Sequence, residues 1–438
     1  MTPRSLKKQT INIVTLGCSK NTVDSEHLAG KLDSSLFSVI HDGKGTSDVV
    51  IINTCGFIGD AKEESVDTIL RYAKARKKNK ISKLIVMGCL SQRYRKDLEN
   101  EIHEVDAFYG VNDLDSIATL LGSDPNSLGD TYHYKRQLST SSHYAYLKIS
   151  EGCDRNCSFC AIPLIRGKHV SQTLEKLTQE AAYLASNGVK ELILIAQDLT
   201  YYGIDINGKR QITQLIQSLT EVEGIEWVRL QYAYPHGFPE DLPDLINSNP
   251  KVCNYIDLPL QHISSRILKS MKRNVDKEQT LNLVNLIRNK VPGIAFRTTL
   301  IVGYPGETDE EFQELLDFVK SQRFERLGVF AYSPEEGTSA YQIEDDISQE
   351  IKDYRLATLM EVQQEISNDI NSKRVGTVEK VIVDRVEDEY YIGRTQYDSP
   401  EVDNEVLISR SYGQLEIGSF YNMLIESSDF FDLYARPV

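Results

Sequence analysis

The sequence predicts an α/β protein with three parts: an N-terminal doubly wound parallel sheet, a central partial (β/α)6 barrel and a small C-terminal antiparallel β-barrel. Apolar runs that alternate with helical stretches predict the first two parts, and strand-like segments without helices predict the third. A chain of 438 residues is also too long for one ordinary core. We therefore expect domains at residues 10–128, 139–371 and 374–438.

Three apolar runs in the N-terminal part each end in a cysteine beside a glycine: "INIVTLGC" at Cys18, "VVIINTCG" at Cys55 and "KLIVMGC" at Cys89. They are typical of buried parallel strands, with helical stretches such as "DAKEESVDTILRYAKARKK" between them. The intervals of 37 and 34 residues suit one βα unit each. Because ligands bind outside the carboxyl ends of the strands in such a sheet, we expect the three thiols to converge. The alternative is three unconnected buried cysteines.

Six further apolar runs predict the strands of the central barrel, and a helical segment follows each of them. One of the helix signals is the capping box from Thr308 to Glu311, ahead of "FQELLDFVK". Six units make an open barrel rather than a closed eight-stranded one, and its active site is expected at the carboxyl ends of the strands. The six runs are "YAYLKIS", "ELILIAQ", "WVRLQYAY", "NYIDLPL", "AFRTTLIV" and "RLGVFAY".

The stretch "EGCDRNCSFC" after the first of these strands places Cys153, Cys157 and Cys160 in one loop with no fourth cysteine. This spacing is poor for tetrahedral zinc, which prefers paired CxxC sequences. It suits three irons of a cubane cluster, whose fourth iron then stays open to a substrate such as S-adenosylmethionine. The alternative is a zinc or iron-sulfur site that only stabilises the fold.

Polar residues and glycines at the ends of other barrel strands are candidates for a cofactor pocket. Gln197 and Asp198 end the second strand, and the stretch "GYPG" from Gly303 ends the fifth. Asp198 can equally well be a helix or turn cap. The stretch "GYPG" can be a plain turn. Gln261 and His262 follow the fourth strand. His262 can be either a hydrogen-bonded structural histidine or a residue that contacts the substrate.

The C-terminal part, after the helical stretch "SQEIKDYRLATLMEVQQEISNDI", alternates like a small β-barrel. From Gly376 to the end, the chain has 13 Asp and Glu but only 5 Lys and Arg. The resulting net charge of −8 is over half of the chain's formal net charge of −15. Such a domain repels a phosphate backbone and attracts a basic protein. The alternative is that these acids only keep the domain soluble.

Composition excludes two broad classes of function. The chain lacks the basic footprint of a general nucleic-acid binder, and its apolar runs are far shorter than a bilayer requires. We expect a cytosolic protein with no membrane partner, since the N-terminus lacks a signal-peptide core. Seven cysteines in that compartment point to metal binding rather than disulfides. Six form two sets of three, and we expect lone Cys253 to be a core residue.

The loop pattern CxxxCxΦC after the first strand of a partial barrel resembles the radical S-adenosylmethionine superfamily. In that family an aromatic residue at the position of Phe159 lies near the adenine. "LGCSKNTVDSEHLAG", "NTCGFIGDAKEES" and "MGCL" resemble the N-terminal cluster domain of the methylthiotransferases, and the C-terminal part resembles their TRAM domain. "AQDLTYYG" and "DLPLQH" favour the branch that modifies a ribosomal protein rather than tRNA.

The resemblance implies two 4Fe-4S clusters and two roles for S-adenosylmethionine. One molecule is cleaved at the cluster of the radical motif, with electrons from a donor such as flavodoxin or ferredoxin. The other methylates sulfur at the N-terminal cluster. The expected product carries a methylthio group on the β-carbon of an aspartate of the twelfth small-subunit ribosomal protein. The implied residues are catalytic Cys153, Cys157 and Cys160, metal-binding Cys18, Cys55, Cys89, Cys153, Cys157 and Cys160, and cofactor-binding Phe159, Gln197, Asp198 and Gly303.

Two other functions compete with this expectation. A tRNA adenosine methylthiotransferase would share the clusters, but the acidic C-terminal part disfavours nucleic acid as the direct substrate. A non-enzymatic iron-sulfur redox sensor or RNA-binding protein would not need an open iron. Formation of 5′-deoxyadenosine would therefore exclude that second alternative.

Overall fold

The computed structural model describes residues 8–45, 47–124, 129, 131 and 134–438. The predicted domain boundary at residue 128 lies outside this part of the chain. None of the helices in the described part is both long enough and apolar enough to cross a membrane.

The N-terminal part is a five-stranded parallel sheet in the order β2-β1-β3-β4-β5. Helices α1 and α4 cover one face and α2 and α3 the other, so the sheet is doubly wound as predicted. Its strands are β1 Gln9–Thr15, β2 Phe37–His41, β3 Val49–Thr54, β4 Lys83–Gly88 and β5 Ala107–Phe108. Its helices are α1 Ser19–Lys31, α2 Gly59–Lys77, α3 Cys89–Glu101 and α4 Leu114–Leu120.

Two of these strands have no counterpart in the sequence prediction. The interval between Cys18 and Cys55 holds α1 and the extra strand β2, so the prediction of a single βα unit there was wrong. Strand β2 lies at the sheet edge, and its exposed residues alternate with buried or half-buried ones, so it carries no continuous apolar run. Strand β5 has only two residues.

All six predicted strands of the central part are present. They form two parallel three-stranded sheets, β6-β9-β10 and β11-β12-β13. A bridge between Val228 and Val252 joins the sheets, and the barrel stays open between β6 and β13. The six strands are β6 Tyr144–Lys148, β9 Glu191–Ile195, β10 Trp227–Leu230, β11 Tyr255–Asp257, β12 Ala295–Val302 and β13 Arg326–Ala331. Short strands β7 Ser150–Glu151 and β8 Val170–Ser171 pair at the base of the cysteine loop.

Helices pack on the outside of the central strands and bury a large apolar core between the two layers. The predicted capping box at Thr308 and Glu311 is present and starts α12. The helices are α5 Ile162–Arg166, α6 Leu174–Ser186, α7 Ile204–Asn207, α8 Ile212–Thr220, α9 Leu242–Ser248, α10 Ser265–Ser270, α11 Lys277–Lys290, α12 Asp309–Gln322 and α13 Gln349–Ser372. Short 3-10 helices lie at Leu199–Tyr201, Ala340–Gln342 and Arg410–Tyr412.

The C-terminal part is a closed five-stranded barrel in the order β14-β15-β16-β18-β17. Four of its strand pairings are antiparallel, and the pairing of β16 with β18 is parallel. Asp388 and Glu389 form the exposed turn between β14 and β15. The strands are β14 Val378–Glu387, β15 Tyr390–Thr395, β16 Val406–Ser409, β17 Phe420–Ser428 and β18 Leu433–Pro437.

The C-terminal barrel covers the amino ends of the central strands. Arg394 binds Glu191, the first residue of β9, at 2.8 Å, and the ring of Phe420 packs against Trp227, the first residue of β10. Cys253 is buried in the same apolar contact, which agrees with its prediction as a core residue. The N-terminal part covers the opposite end, where the strands finish. The carboxyl mouth of the barrel therefore faces the N-terminal sheet.

Candidate active site

The first set of cysteines lies at one edge of the N-terminal sheet, where the adjacent strands β1, β3 and β4 end. Cys18 precedes α1, Cys55 follows β3, and Cys89 starts α3. Glycines let these loops approach each other. A Cβ atom on Gly17 would lie 2.7 Å from the Cβ of Cys55, and one on Gly56 would lie 2.8 Å from the carbonyl carbon of Cys89. The strand order thus brings together three thiols that are far apart in sequence.

Burial sets the chemistry of this first set. Cys55 and Cys89 are buried and Cys18 is exposed. Burial raises the pKa of the Cys89 thiol to about 12, although the nearby Arg166 guanidinium opposes the rise. Burial also raises the pKa of Cys55. These thiols are therefore neutral in the metal-free protein at neutral pH, and binding a metal cluster would deprotonate them.

The second set of cysteines lies in the loop between β7 and β8, at the carboxyl end of β6. Gly152 opens the loop at φ +75°, where a Cβ atom would collide with the backbone carbonyl of Lys168. The Sγ atom of Cys157 lies 3.4 Å from Nη1 of Arg273 and 3.5 Å from the hydroxyl of Tyr234. The Arg273 guanidinium therefore donates a hydrogen bond to the sulfur of Cys157.

Both sets have a donor chemistry that suits an iron-sulfur cluster with one open iron. Each offers three thiols, and the seventh, Cys253, is too remote to be a fourth ligand because it lies at the opposite end of the barrel. Within the described ranges, no three His, Cys, Asp or Glu side chains are close enough to share a single metal ion. The cysteine ligands of a cubane bind different irons, so they stand farther apart than ligands of one ion.

The two sets face each other across the short helix α5. Cys89 packs against Ala161, which follows Cys160, and against Ile165. Arg166 at the end of α5 donates to Oδ1 of Asn21 at 2.7 Å, and this oxygen lies 3.8 Å from the Sγ of Cys89. The contact surface between the N-terminal part and the barrel therefore separates the two sets by little more than one helix.

A buried network of charges surrounds this contact. Arg166 binds Glu151 at 2.9 Å and Asp24 at 3.2 Å, and Lys148 binds the same two carboxylates. The cations Lys148 and Arg166 outweigh the effect of burial and hold the pKa of Glu151 far below its usual range. Glu151 is therefore ionised, and it accepts a further hydrogen bond from Nε2 of Gln197 at 2.9 Å.

The predicted cofactor residues lie around the same mouth. Gln197 presents a buried Oε1 atom that has no hydrogen-bond partner among the described residues. Asp198 accepts from the backbone N–H of Thr200 as a helix cap and also binds Arg155 at 2.8 Å. The structure therefore contains the cap that was the alternative interpretation of Asp198. That carboxylate orients the loop of the second cysteine set through Arg155.

Two other predicted cofactor residues are Phe159 and Gly303. Phe159 packs beside Tyr304 and Met271 in a small apolar cluster. Gly303, at φ +68°, begins a tight turn in which its N–H binds the Glu307 carboxylate. The turn leaves no room for a side chain, because a Cβ atom would meet the side chain of Lys352.

Gln261 and His262 lie just beyond β11 and differ in how far their polar atoms are satisfied. The Oε1 atom of Gln261 is buried and unpartnered within the described residues. His262 is enclosed by hydrogen bonds, with Nε2 3.2 Å from Glu307 and Nδ1 accepting from the N–H of Ser264 at 2.9 Å. These bonds favour the structural interpretation of His262.

Three protein families match different parts of the chain. Residues 147–319 match the radical SAM superfamily, residues 10–110 match the uncharacterized protein family UPF0004, and residues 375–438 match the TRAM domain. A protein of Flavobacterium psychrophilum named ribosomal protein uS12 methylthiotransferase RimO is 53% identical over 439 residues and covers 100% of both chains. One of Bacteroides thetaiotaomicron with the same name is 51% identical and covers 98% of this chain and 99% of its own. The chain belongs to the RimO family.

Solved structures support the fold of this RimO-family chain. The radical S-adenosylmethionine methyltransferase TsrM of Kitasatospora setae, bound to tryptophan and a SAM analog, superposes with a TM-score of 0.54 at 13% identity. The match covers 83% of this chain and 90% of TsrM. The cobalamin-dependent enzyme OxsB gives a TM-score of 0.51 over 81% of this chain and 56% of its own. At such low identity these matches show a shared fold alone.

Sequence reasoning missed several charged residues of this RimO-family site. Glu151 and Arg166 flank the second cysteine set, and their position beside the motif was the available signal. Lys20, in "GCSKN", lies two positions after Cys18 and is buried. Arg273 lies far in sequence from the cysteines of both sets, so only the fold places it beside Cys157.

Proposed function

We propose that the protein attaches a methylthio group to an aspartate of ribosomal protein uS12, using S-adenosylmethionine and two 4Fe-4S clusters. The observation that carries the proposal is the position of the two cysteine sets, which face each other across α5 at the carboxyl mouth of the barrel. Full-length identity above half to proteins named for this activity supports the same assignment. The reaction needs a cleavage site and a sulfur-carrying site close together.

The two cysteine sets would have different tasks. Cys153, Cys157 and Cys160 would hold the cluster at which S-adenosylmethionine is cleaved, and Cys18, Cys55 and Cys89 would hold the cluster at which the methylthio group is prepared. When bound, the clusters supply the electron and the open iron sites that radical attack on an unactivated C–H bond requires. The electron would come from an external donor such as flavodoxin or ferredoxin.

The residues at the mouth of the barrel would bind S-adenosylmethionine through polar atoms that have no hydrogen-bond partner among the described residues. The unpartnered Oε1 atoms of Gln197 and Gln261 can each accept a hydrogen bond from a bound amine or hydroxyl. Phe159 would supply an apolar wall for the adenine. Gly303 would keep the backbone close to the ligand, and Asp198 would act indirectly through Arg155.

Charge favours the ribosomal protein over tRNA as the substrate. Several acids of the C-terminal barrel form buried ion pairs with arginines and therefore contribute little to the outer field. The remaining exposed acids include the run Glu387 to Glu389 at the hairpin turn. Such a surface attracts a basic protein and repels a phosphate backbone. The buried pairs are Asp384 with Arg394, Asp398 with Arg326 and Asp403 with Arg297.

The proposal can be tested by anaerobic incubation with S-adenosylmethionine, a chemical reductant and either uS12 or tRNA. Mass spectrometry should find a methylthio addition on one aspartate of uS12, and 5′-deoxyadenosine should form. The matched negative control is Cys157→Ala, which should form neither product. A methylthio group on a tRNA adenosine, or absence of 5′-deoxyadenosine with the wild type, would refute the proposal.

A further inference from the structure

Lys20 places a positive charge between the first cysteine set and the mouth of the barrel. It lies in the first turn of α1, two residues after Cys18, and only 8% of its surface is exposed. Its Nζ atom stands 3.1 Å from the centre of the Tyr232 ring. Tyr232 follows β10 and is itself half-buried, at φ +66°. The ammonium is therefore held over the carboxyl ends of the strands.

The carboxylates nearest to Lys20 form their direct ion pairs with other cations. Lys148 and Arg166 share Asp24 and Glu151, which makes two cations for two carboxylates. Asp257, at the end of β11, shares Arg297 with Asp403, at 3.2 Å and 3.3 Å, and accepts from the N–H of Tyr232 at 3.1 Å. Within the described part of the chain, no carboxylate oxygen comes within 4.0 Å of the Lys20 ammonium.

A buried ammonium with no carboxylate in direct contact is costly, and one aromatic ring offsets only part of that cost. The protein keeps this charge at the point where the two cysteine sets meet the mouth of the barrel. A negative group that enters with the substrate would complete its coordination.

We propose that Lys20 binds the side-chain carboxylate of the aspartate that is modified. This inference rests on the proposed function, because it concerns the substrate of that reaction. The β-carbon of aspartate is bonded directly to the carboxylate carbon. An ion pair that fixes the carboxylate therefore also fixes the reacting carbon between the two cysteine sets. It would reject the amide of asparagine, which carries no charge.

The test compares binding of uS12 with binding of uS12 whose modified aspartate is changed to asparagine. Both proteins are titrated anaerobically into the cluster-loaded enzyme. The wild-type enzyme should prefer the aspartate form by about tenfold or more, which is the usual range for a hydrogen bond to a charged group. Lys20→Gln should reduce this ratio to about one, and Lys20→Arg should restore part of it. The control is Lys80→Gln at an exposed position, which should keep the full ratio.

The outcomes separate this inference from the function on which it rests. An unchanged ratio in Lys20→Gln, with wild-type iron content and an active wild-type enzyme, would overturn the inference alone. Loss of about half of the iron in Lys20→Gln would mean that Lys20 supports the first cysteine set, and would also overturn it. A wild type that modifies no residue of uS12 would overturn the proposed function together with the inference.

Discussion

Arg166 donates a hydrogen bond to the side-chain oxygen of Asn21 over 2.7 Å, across the contact between the barrel and the N-terminal sheet. The same oxygen lies 3.8 Å from the Sγ atom of Cys89. The other guanidinium nitrogen of Arg166 binds Glu151 at 2.9 Å, two residues before Cys153. A single arginine thus reaches the surroundings of both cysteine sets. Its position therefore ties the N-terminal sheet to the loop of the second set.

Loss of this arginine should destabilise the protein strongly. Among the described residues, Arg166→Met would leave Asp24 and Glu151 with Lys148 as their only cationic partner, and breaking a buried ion pair typically costs about 3–5 kcal/mol. Anaerobic chemical denaturation would measure the change. The control is Arg95→Met, because Arg95 and Glu99 pair at a similar distance but are exposed. That control should cost less than about 1 kcal/mol, and equal losses would contradict the account.

The two cysteine sets should bind iron independently. Reconstituted wild-type protein is expected to carry about eight iron and eight sulfide ions per chain, as two cubane clusters require. Changing Cys153, Cys157 and Cys160 together to Ala should lower both by about half. Iron and acid-labile sulfide analysis would check this. Full retention of iron in the triple variant, or a wild type that binds only zinc, would exclude two clusters.

Glu335 should keep the N-terminal part closed over the mouth of the barrel. Its buried carboxylate, between β13 and α13, binds Arg93 at 2.8 Å and Lys62 at 3.0 Å, both from the N-terminal part. Glu335→Gln removes the charge and should speed hydrogen exchange of α3 by about tenfold, since the contact opens more often. The control is Glu344→Gln, at an exposed position of the same connection. Equal exchange in both variants would refute the role of Glu335.

The acidic hairpin turn should act on the encounter with uS12. Changing Glu387, Asp388 and Glu389 to Lys should slow association most at low salt, where the Debye length is about 30 Å at 0.01 M. Substrate-free cleavage of S-adenosylmethionine should stay unchanged, because the C-terminal barrel covers the other end of the strands. Association rates across a salt series would test this. An unchanged or faster rate in the Lys variant would contradict this role of the acidic turn.

The fold was predictable where its signals are local. The apolar runs of β3, β4 and β9 are continuous because both faces of a parallel sheet are buried there. Strand β2 was missed because it lies at the edge and alternates. The spacing of Cys153, Cys157 and Cys160 is also local, and it identified the second set without any tertiary information.

The rest of the site depends on contacts that no local pattern reveals. Arg166 and Asn21 are 145 residues apart, and neither motif indicates that they touch. The charge count of the C-terminal part was correct as a total, but it did not distinguish surface acids from buried ones. Asp398 is one of the buried acids, because it pairs with Arg326 of the central part. Burial of a charge follows from the packing of domains rather than from composition.

The central claim is that the two cysteine sets perform different steps of one reaction, and one comparison tests it most directly. Cys55→Ala and Cys157→Ala would each be incubated anaerobically with S-adenosylmethionine, reductant and uS12. Both 5′-deoxyadenosine and methylthio-aspartate would be measured by mass spectrometry. Cys55→Ala should still form 5′-deoxyadenosine but no methylthio product, and Cys157→Ala should form neither. Normal methylthio product from Cys55→Ala would contradict the account, because the first set would then be only structural.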